Sequence, residues 1–197
     1  MPIGAYPGTF DPPTVAHLAI AEAALVQGGL DQVHLVVSRQ PLGKNPTVPR
    51  FEHRIEVLEA VAARFEWLQV RVTSARLVVD VARGYDAVIM GTDKWLQVAD
   101  PSWYSGSVEE RDRVVEALPR LLLAERPDGR PDVPLPPDSL ILGLPLAHRG
   151  VSSTGVRSGA TEWMLPEAAA FDALTGAWTN PDAYLARRDS HSPGAAD

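Results

Sequence analysis

The sequence predicts a three-layer α/β/α protein built on a doubly wound parallel sheet, and three observations predict it. Short apolar runs alternate with amphipathic stretches along most of the chain, the pattern of strands buried on both faces and joined by right-handed crossover helices. The first apolar run passes through a Gly/Pro-rich turn into a helix, in Gly4-Ala-Tyr-Pro-Gly-Thr-Phe-Asp-Pro-Pro-Thr-Val-Ala-His17. A hydroxyl-rich segment, Val151-Ser-Ser-Thr-Gly-Val-Arg157, follows the last apolar run.

The elements can be justified in order. A first strand ends in the Gly8 turn, and the first helix begins near Thr14, a good N-cap residue. Gln32-Val-His-Leu-Val-Val-Ser38 is a buried strand by its near-continuous apolarity. From Phe51 to Phe65, Ile55, Leu58, Ala62 and Phe65 recur at helical spacing. Leu68 to Thr73 alternates as a strand, and Leu77 to Arg83 reads as a short helix. Asp86 to Gly91 is again a buried strand. Val108 to Leu118 is a charged helix, and Arg120 to Glu125 the strand after it. Pro127 to Pro137 is a proline-rich surface loop, and Ser139 to Pro145 the last strand. Residues 1–185 are expected to form a single domain, and the Ser/Pro/Gly/Ala-rich stretch 186–197 a disordered tail.

Composition narrows the function. The 197 residues, 45% of them hydrophobic, suit one domain with a sizeable core. No apolar run reaches the roughly 18–20 residues of a membrane span. The chain enters a strand at once rather than a leader, so a cytoplasmic protein with no membrane partner is expected. The absence of cysteine removes disulfides, thiolate metal sites and cysteine nucleophiles together. A net charge of −7 argues against nucleic acid as a partner. A phosphate ligand must then be held by a few local cations.

In a doubly wound sheet ligands sit beyond the carboxyl ends of the strands, where the winding reverses. The Gly8–His17 turn and the Gly91-Thr-Asp-Lys-Trp95 segment both follow strands and can meet there. The start of the first helix offers unpaired N–H groups and a positive dipole end to an anion. Gly8 lets the backbone come close to a phosphate, Thr9 adds a hydroxyl, and His17 lies one turn into the helix. Ser152, Ser153 and Thr154 supply hydroxyls, and Arg157 a planar fork suited to a polyphosphate. His34 and His53 read as structural, and Arg50 and Arg54 as solvated charges on a helix surface. No His/Asp/Glu grouping has metal-ligand spacing, and neither a Walker loop nor a Gly-x-Ser-x-Gly elbow occurs.

Gly8, Phe10, Asp11, Pro12, Thr14 and His17 fall on a pattern that resembles the opening of the nucleotidylyltransferase superfamily, Gly-x-Phe-Asp-Pro leading into Thr/His-x-Gly-His. Ala16 stands where that pattern has its glycine. Val151 to Arg157 resembles the family's phosphate-binding Ile-Ser-Ser-Thr-x-x-Arg element, at the expected place after the last core strand. Gly91-Thr-Asp93 looks like the Gly-x-Asp element of nicotinate and nicotinamide mononucleotide adenylyltransferases. Leu165 to Ala170 is loosely similar to their C-terminal helix. Leu77-Val-Val-Asp-Val-Ala-Arg83 is instead similar to phosphopantetheine adenylyltransferases, as is Thr14. The likeness covers most of residues 3–175 in topology and two segments with specificity.

The resemblance implies a Rossmann-like fold and an adenylyltransferase of NAD biosynthesis. ATP would be the donor, Mg²⁺ its companion, a small phosphorylated acceptor the partner, and pyrophosphate the product. Nicotinate or nicotinamide mononucleotide is the first acceptor. Phosphopantetheine is the alternative; a cytidylyltransferase, or an inactive nucleotide-binding protein of the same fold, are further ones. Carried over, His17, Thr14 and Lys44 are catalytic. Gly8, Thr9, Phe10, His17, Gly91, Asp93, Ser152, Ser153, Thr154 and Arg157 bind nucleotide. Thr9, Lys44, Trp95 and Trp103 bind the acceptor. Self-association is left open.

Overall fold

The computed structural model describes residues 1–41, 48–125 and 133–190, the last three by backbone alone. Six strands form one sheet: β1 (Ile3–Pro7), β2 (Gln32–Ser38), β3 (Leu68–Thr73), β4 (Ala87–Gly91), β5 (Arg120–Ala124) and β6 (Leu140–Leu142). They pair in the order β3-β2-β1-β4-β5-β6, every pair parallel. This is the Rossmann-like doubly wound arrangement, with the winding reversing between β1 and β4.

The alternation of side chains along each strand builds the layers. In β4, Ala87 and Ile89 join one core cluster while Val88 and Met90 join another. In β5, Leu122 and Ala124 lie with the first and Leu121 and Leu123 with the second. The first cluster is covered by α1 (Val15–Gly28) and α2 (Phe51–Ala62), the second by α4 (Thr92–Ala99) and α5 (Val108–Glu116). Alanine-rich α1 favours helix intrinsically and buries Ala16, Ile20, Ala21 and Ala24. It ends where Gly29 takes the left-handed conformation and its N–H returns to the Leu25 carbonyl.

The short α3 (Val78–Val81) precedes β4, and α6 (Leu146–Arg149) and α7 (Ser153–Arg157) follow β6. The chain closes with α8 (Pro166–Thr175) and α9 (Pro181–Ser190). A third cluster, including Val57, Val156, Ala168, Trp178 and Tyr184, ties α7, α8 and α9 to α2. Tyr184 Oη lies 2.7 Å from His53 Nδ1 and accepts the Arg50 N–H at 3.0 Å, so His53 is structural. His34 is structural as well, buried with its Nδ1 3.0 Å from Tyr85 Oη.

Three elements differ from the sequence expectation. α4 starts at Thr92, directly after β4, and α6 and α9 were not anticipated. α9 carries the folded chain past residue 185 to Ser190. Residues 191–197 and much of the expected 127–137 loop lie outside the described residues. Among the described residues no helix is long and apolar enough to cross a membrane.

Candidate active site

A crevice of about 960 Å³ opens beyond the carboxyl ends of β1, β2 and β4. Gly8, Thr9, Phe10, Asp11 and His17 line its floor. Ser152, Ser153, Thr154 and Arg157 line one side, and Gly91, Asp93 and Trp103 another. The two distant sequence segments therefore do meet at the reversal point of the sheet.

Helix capping sets the imidazole. His17 is the third residue of α1, where a capping-box side chain reaches back to the N-cap. The Thr14 N–H donates to His17 Nδ1 at 3.0 Å, and the Thr14 hydroxyl lies 2.9 Å from the same nitrogen. A nitrogen that accepts from a backbone N–H carries no proton, so the neutral ring holds its proton on Nε2. The ring is braced from below by Phe10, whose centroid is 5.1 Å away, and Phe10 stands edge-on to Tyr6 at 5.4 Å.

Two sequence readings change here. Thr14, expected to be catalytic, is fully buried and does not line the crevice, so it orients His17 rather than touching a ligand itself. Gly8 is required by packing: a Cβ there would lie 2.7 Å from the Phe10 ring. Ala16, in the place of the family's glycine, is buried against the core and also does not line the crevice.

The Ser152–Arg157 side is stitched to the Gly8–Pro12 turn. Ser153 Oγ donates to the Pro12 carbonyl at 2.8 Å, and the Ser152 hydroxyl caps α7 by accepting the Gly155 N–H at 3.0 Å. Arg157 Nη1 donates to the Asp11 main-chain carbonyl and lies 3.7 Å from its carboxylate. Arg157 Nη2 reaches the Thr154 hydroxyl at 3.3 Å. Arg54 corrects another expectation. It is buried, not solvated, and its Nη1 donates to the Thr9 carbonyl at 3.0 Å. Burial pushes its guanidinium pKa down, against the opposing pull of Asp11 and Glu52.

Past Gly91 and Asp93 the two tryptophans part company. Trp103 is 44% exposed and faces the crevice. It sits in the turn Pro101–Tyr104, which Asp100 caps by accepting the Ser102 N–H at 2.8 Å and its hydroxyl proton at 2.6 Å. Those bonds hold the Asp100 carboxyl below its ordinary range. Trp95 was expected beside it and is instead 1% exposed, packed with Met90, Leu121 and Leu123. The helical turn begun at Thr92 points Trp95, Val98 and Ala99 inward at i, i+3, i+4. Trp95 therefore offers no face to a ligand. Lys44 lies outside the described residues.

The crevice also holds residues the sequence reading missed. Arg76 and Arg149 line it as cations, and Leu77, Val78, Val79 and Val81 form an apolar wall. The Ala75 carbonyl accepts from Ser38 Oγ at 2.6 Å, which fixes the turn that carries Arg76. No motif marks Arg76 or Arg149, whereas Leu77 to Val81 belong to the stretch that resembles phosphopantetheine adenylyltransferases. The sequence signal for Arg76 is its place just after a strand end, where such sheets bind ligands.

Anion donors gathered with a donor-bearing imidazole at the switch point define a nucleotide-handling α/β protein. The chain belongs to the cytidylyltransferase-like family, whose model matches residues 5–159. It is 32% identical over 168 residues to a protein of Anaeromyxobacter dehalogenans named a probable nicotinate-nucleotide adenylyltransferase, covering 77% of this chain and 79% of that one. A Bordetella pertussis protein of the same name is 41% identical over 61 residues, 31% of each chain. The fold matches Plasmodium falciparum nicotinic acid mononucleotide adenylyltransferase complexed with NaAD, with a TM-score of 0.66 at 16% identity. That match covers 89% of this chain and 96% of the other. Family and fold thus agree with the resemblance to nucleotidylyltransferases that the motifs carry.

Proposed function

We propose that this protein is an adenylyltransferase that joins the AMP moiety of ATP to the phosphate of nicotinate or nicotinamide mononucleotide, releasing pyrophosphate. The observation that carries the reading is that one crevice holds His17 on its floor, Arg157 on one side and Trp103 on another. The relatives' names point to the same reaction.

The chemistry needs no protein nucleophile. An acceptor phosphate oxygen attacks the α-phosphorus of ATP, a new P–O bond forms, and the bond to the bridging oxygen breaks. Pyrophosphate leaves with the electron pair. The protein aligns two anions and offsets the charge that develops between them. His17 donates from Nε2–H to the α-phosphate in the transition state. Arg157, with Ser152, Ser153 and Thr154, holds the β- and γ-phosphates. Gly8 and Thr9 receive the acceptor phosphate, Lys44 screens the two reactants, and Gly91 and Asp93 contact nucleotide. Trp103 stacks on the pyridine ring, an aromatic contact worth about 0.5–1.5 kcal/mol beyond burial.

Mg²⁺ accompanies the triphosphate. Among the described residues no three His, Asp or Glu side chains form a metal cluster, and Asp11 is committed to protein donors. The ion would be held mainly by the phosphates and water, and would supply charge screening there.

One observation favours a second acceptor. The apolar wall from Leu77 to Val81 suits a flexible, partly apolar arm such as phosphopantetheine. Intrinsic tryptophan fluorescence, titrated with each mononucleotide and with phosphopantetheine, separates the two. The reading expects saturable quenching by a pyridine mononucleotide that is lost in Trp103→Ala. Quenching by phosphopantetheine alone overturns it in favour of the second.

A further inference from the structure

We propose that Trp178 is a positioning residue for nucleotide binding, acting through Asp11 to set where Arg157 points. The inference rests on the reading of Arg157 as a triphosphate ligand.

The segment Asp172-Ala-Leu-Thr-Gly-Ala-Trp178-Thr179 is folded so as to present one indole N–H. Helix α8 stops at Gly176, which takes φ 73° and returns its N–H to the Asp172 carbonyl at 2.6 Å. The buried Asp172 carboxylate then gathers the turn. Its Oδ1 accepts the Trp178 N–H at 2.6 Å and the Thr179 N–H at 3.1 Å, and its Oδ2 accepts the Thr179 hydroxyl at 2.6 Å. The Trp178 ring is 2% exposed and rests on Phe171 at 5.8 Å between centroids.

So held, Trp178 Nε1 donates to Asp11 Oδ1 at 2.7 Å, across almost the whole length of the chain. The same C-terminal stretch grips the turn by its backbone. The Leu165 N–H donates to the Pro13 carbonyl at 3.2 Å, and Met164 bridges Thr14.

Asp11 is 8% exposed and shared between two partners. The indole takes one carboxylate oxygen, and the other lies 3.7 Å from Arg157 Nη1. Arg54, whose charge Asp11 also feels, is held on the Thr9 carbonyl. Removing the indole N–H strips a buried carboxylate oxygen of its donor. The carboxylate then turns to Arg157 and draws the guanidinium away from the crevice. With Trp178 in place, Asp11 is satisfied and Arg157 stays on the Asp11 carbonyl and the Thr154 hydroxyl at the wall of the crevice.

The test is calorimetric titration of ATP and AMP into wild type, Trp178→Phe, Arg157→Lys and the double variant. A residue that acts on Arg157 shifts the ATP-to-AMP affinity ratio, because only ATP carries the leaving phosphates. A general loosening weakens both ligands alike. Trp178→Phe is expected to weaken ATP by about tenfold, the scale of a hydrogen bond to a charged group, while sparing AMP. The double variant should be no worse than Arg157→Lys alone. Equal weakening of ATP and AMP, or additive losses in the double variant, overturns the positioning role. An unchanged ratio in Arg157→Lys overturns the site reading, and the inference with it. If Trp178→Phe does not fold, Asp11→Asn reads the same ratio, since it keeps an acceptor for the indole and removes the charge beside Arg157. An unshifted ratio there overturns the inference.

Discussion

His17 and Gly8 make complementary demands on the same few cubic ångströms. His17 needs its Nδ1 held by Thr14 so that Nε2 carries the proton, and Gly8 must stay small so that Phe10 can brace the ring. His17→Ala is therefore expected to lower kcat by about 10²–10³ with ATP affinity preserved, because a donor to transition-state charge contributes little to ground-state binding. Steady-state kinetics beside ATP titration check this, and unchanged turnover would remove the catalytic assignment. Gly8→Ala is expected to cost about 1–3 kcal/mol through overpacking against a buried ring and to lower kcat through the displaced imidazole. Thermal unfolding and kinetics on that variant should show both losses. The motif was legible in the sequence because its chemistry is local. The reasons behind it were not, since Phe10 filling the space beside Gly8 is a contact that spacing does not announce. Arg54 was misread for the same cause: its place on a helix says nothing of the Thr9 carbonyl it reaches.

At the scale of elements, the strands and the helices that cover them could be read from periodicity. α4 escaped because it begins without a loop after β4 and runs only to Ala99. That omission misplaced Trp95, because a helix start at Thr92 fixes which residues turn inward. The two tryptophans should now behave oppositely. Trp103→Ala is expected to raise the acceptor KM and leave stability nearly unchanged, its ring being 44% exposed. Trp95→Ala is expected to leave the acceptor KM of the folded fraction unchanged and to destabilise by about 3–5 kcal/mol, as for a large buried aromatic. Denaturant unfolding and acceptor kinetics on both variants check the exchange. A raised acceptor KM in Trp95→Ala alone would restore it to the site.

At the scale of the whole molecule, a net charge of −7 leaves anion binding to a few cations that the topology collects at one crevice. Stability also carries a pH signature. Burial, aided by Arg71, lowers the His34 pKa below its ordinary 6.5. The folded state then binds fewer protons than the unfolded chain, so stability falls as pH drops below 6.5 and levels off below the folded pKa. Denaturant unfolding of wild type and His34→Gln between about pH 7.5 and about pH 5 should show this slope in wild type only. The parallel doubly wound sheet and the crevice at its switch point followed from the βα alternation, whereas the strand order and the C-terminal packing that brings Trp178 to Asp11 could not be read from sequence. Adenylyl transfer is tested by following pyrophosphate release, with product identification, for ATP or CTP paired with each pyridine mononucleotide and with phosphopantetheine. ATP with a pyridine mononucleotide is expected to give stoichiometric pyrophosphate and dinucleotide, and His17→Ala to lose both. Nucleotide binding without pyrophosphate release for every acceptor, or release only with CTP, would contradict it.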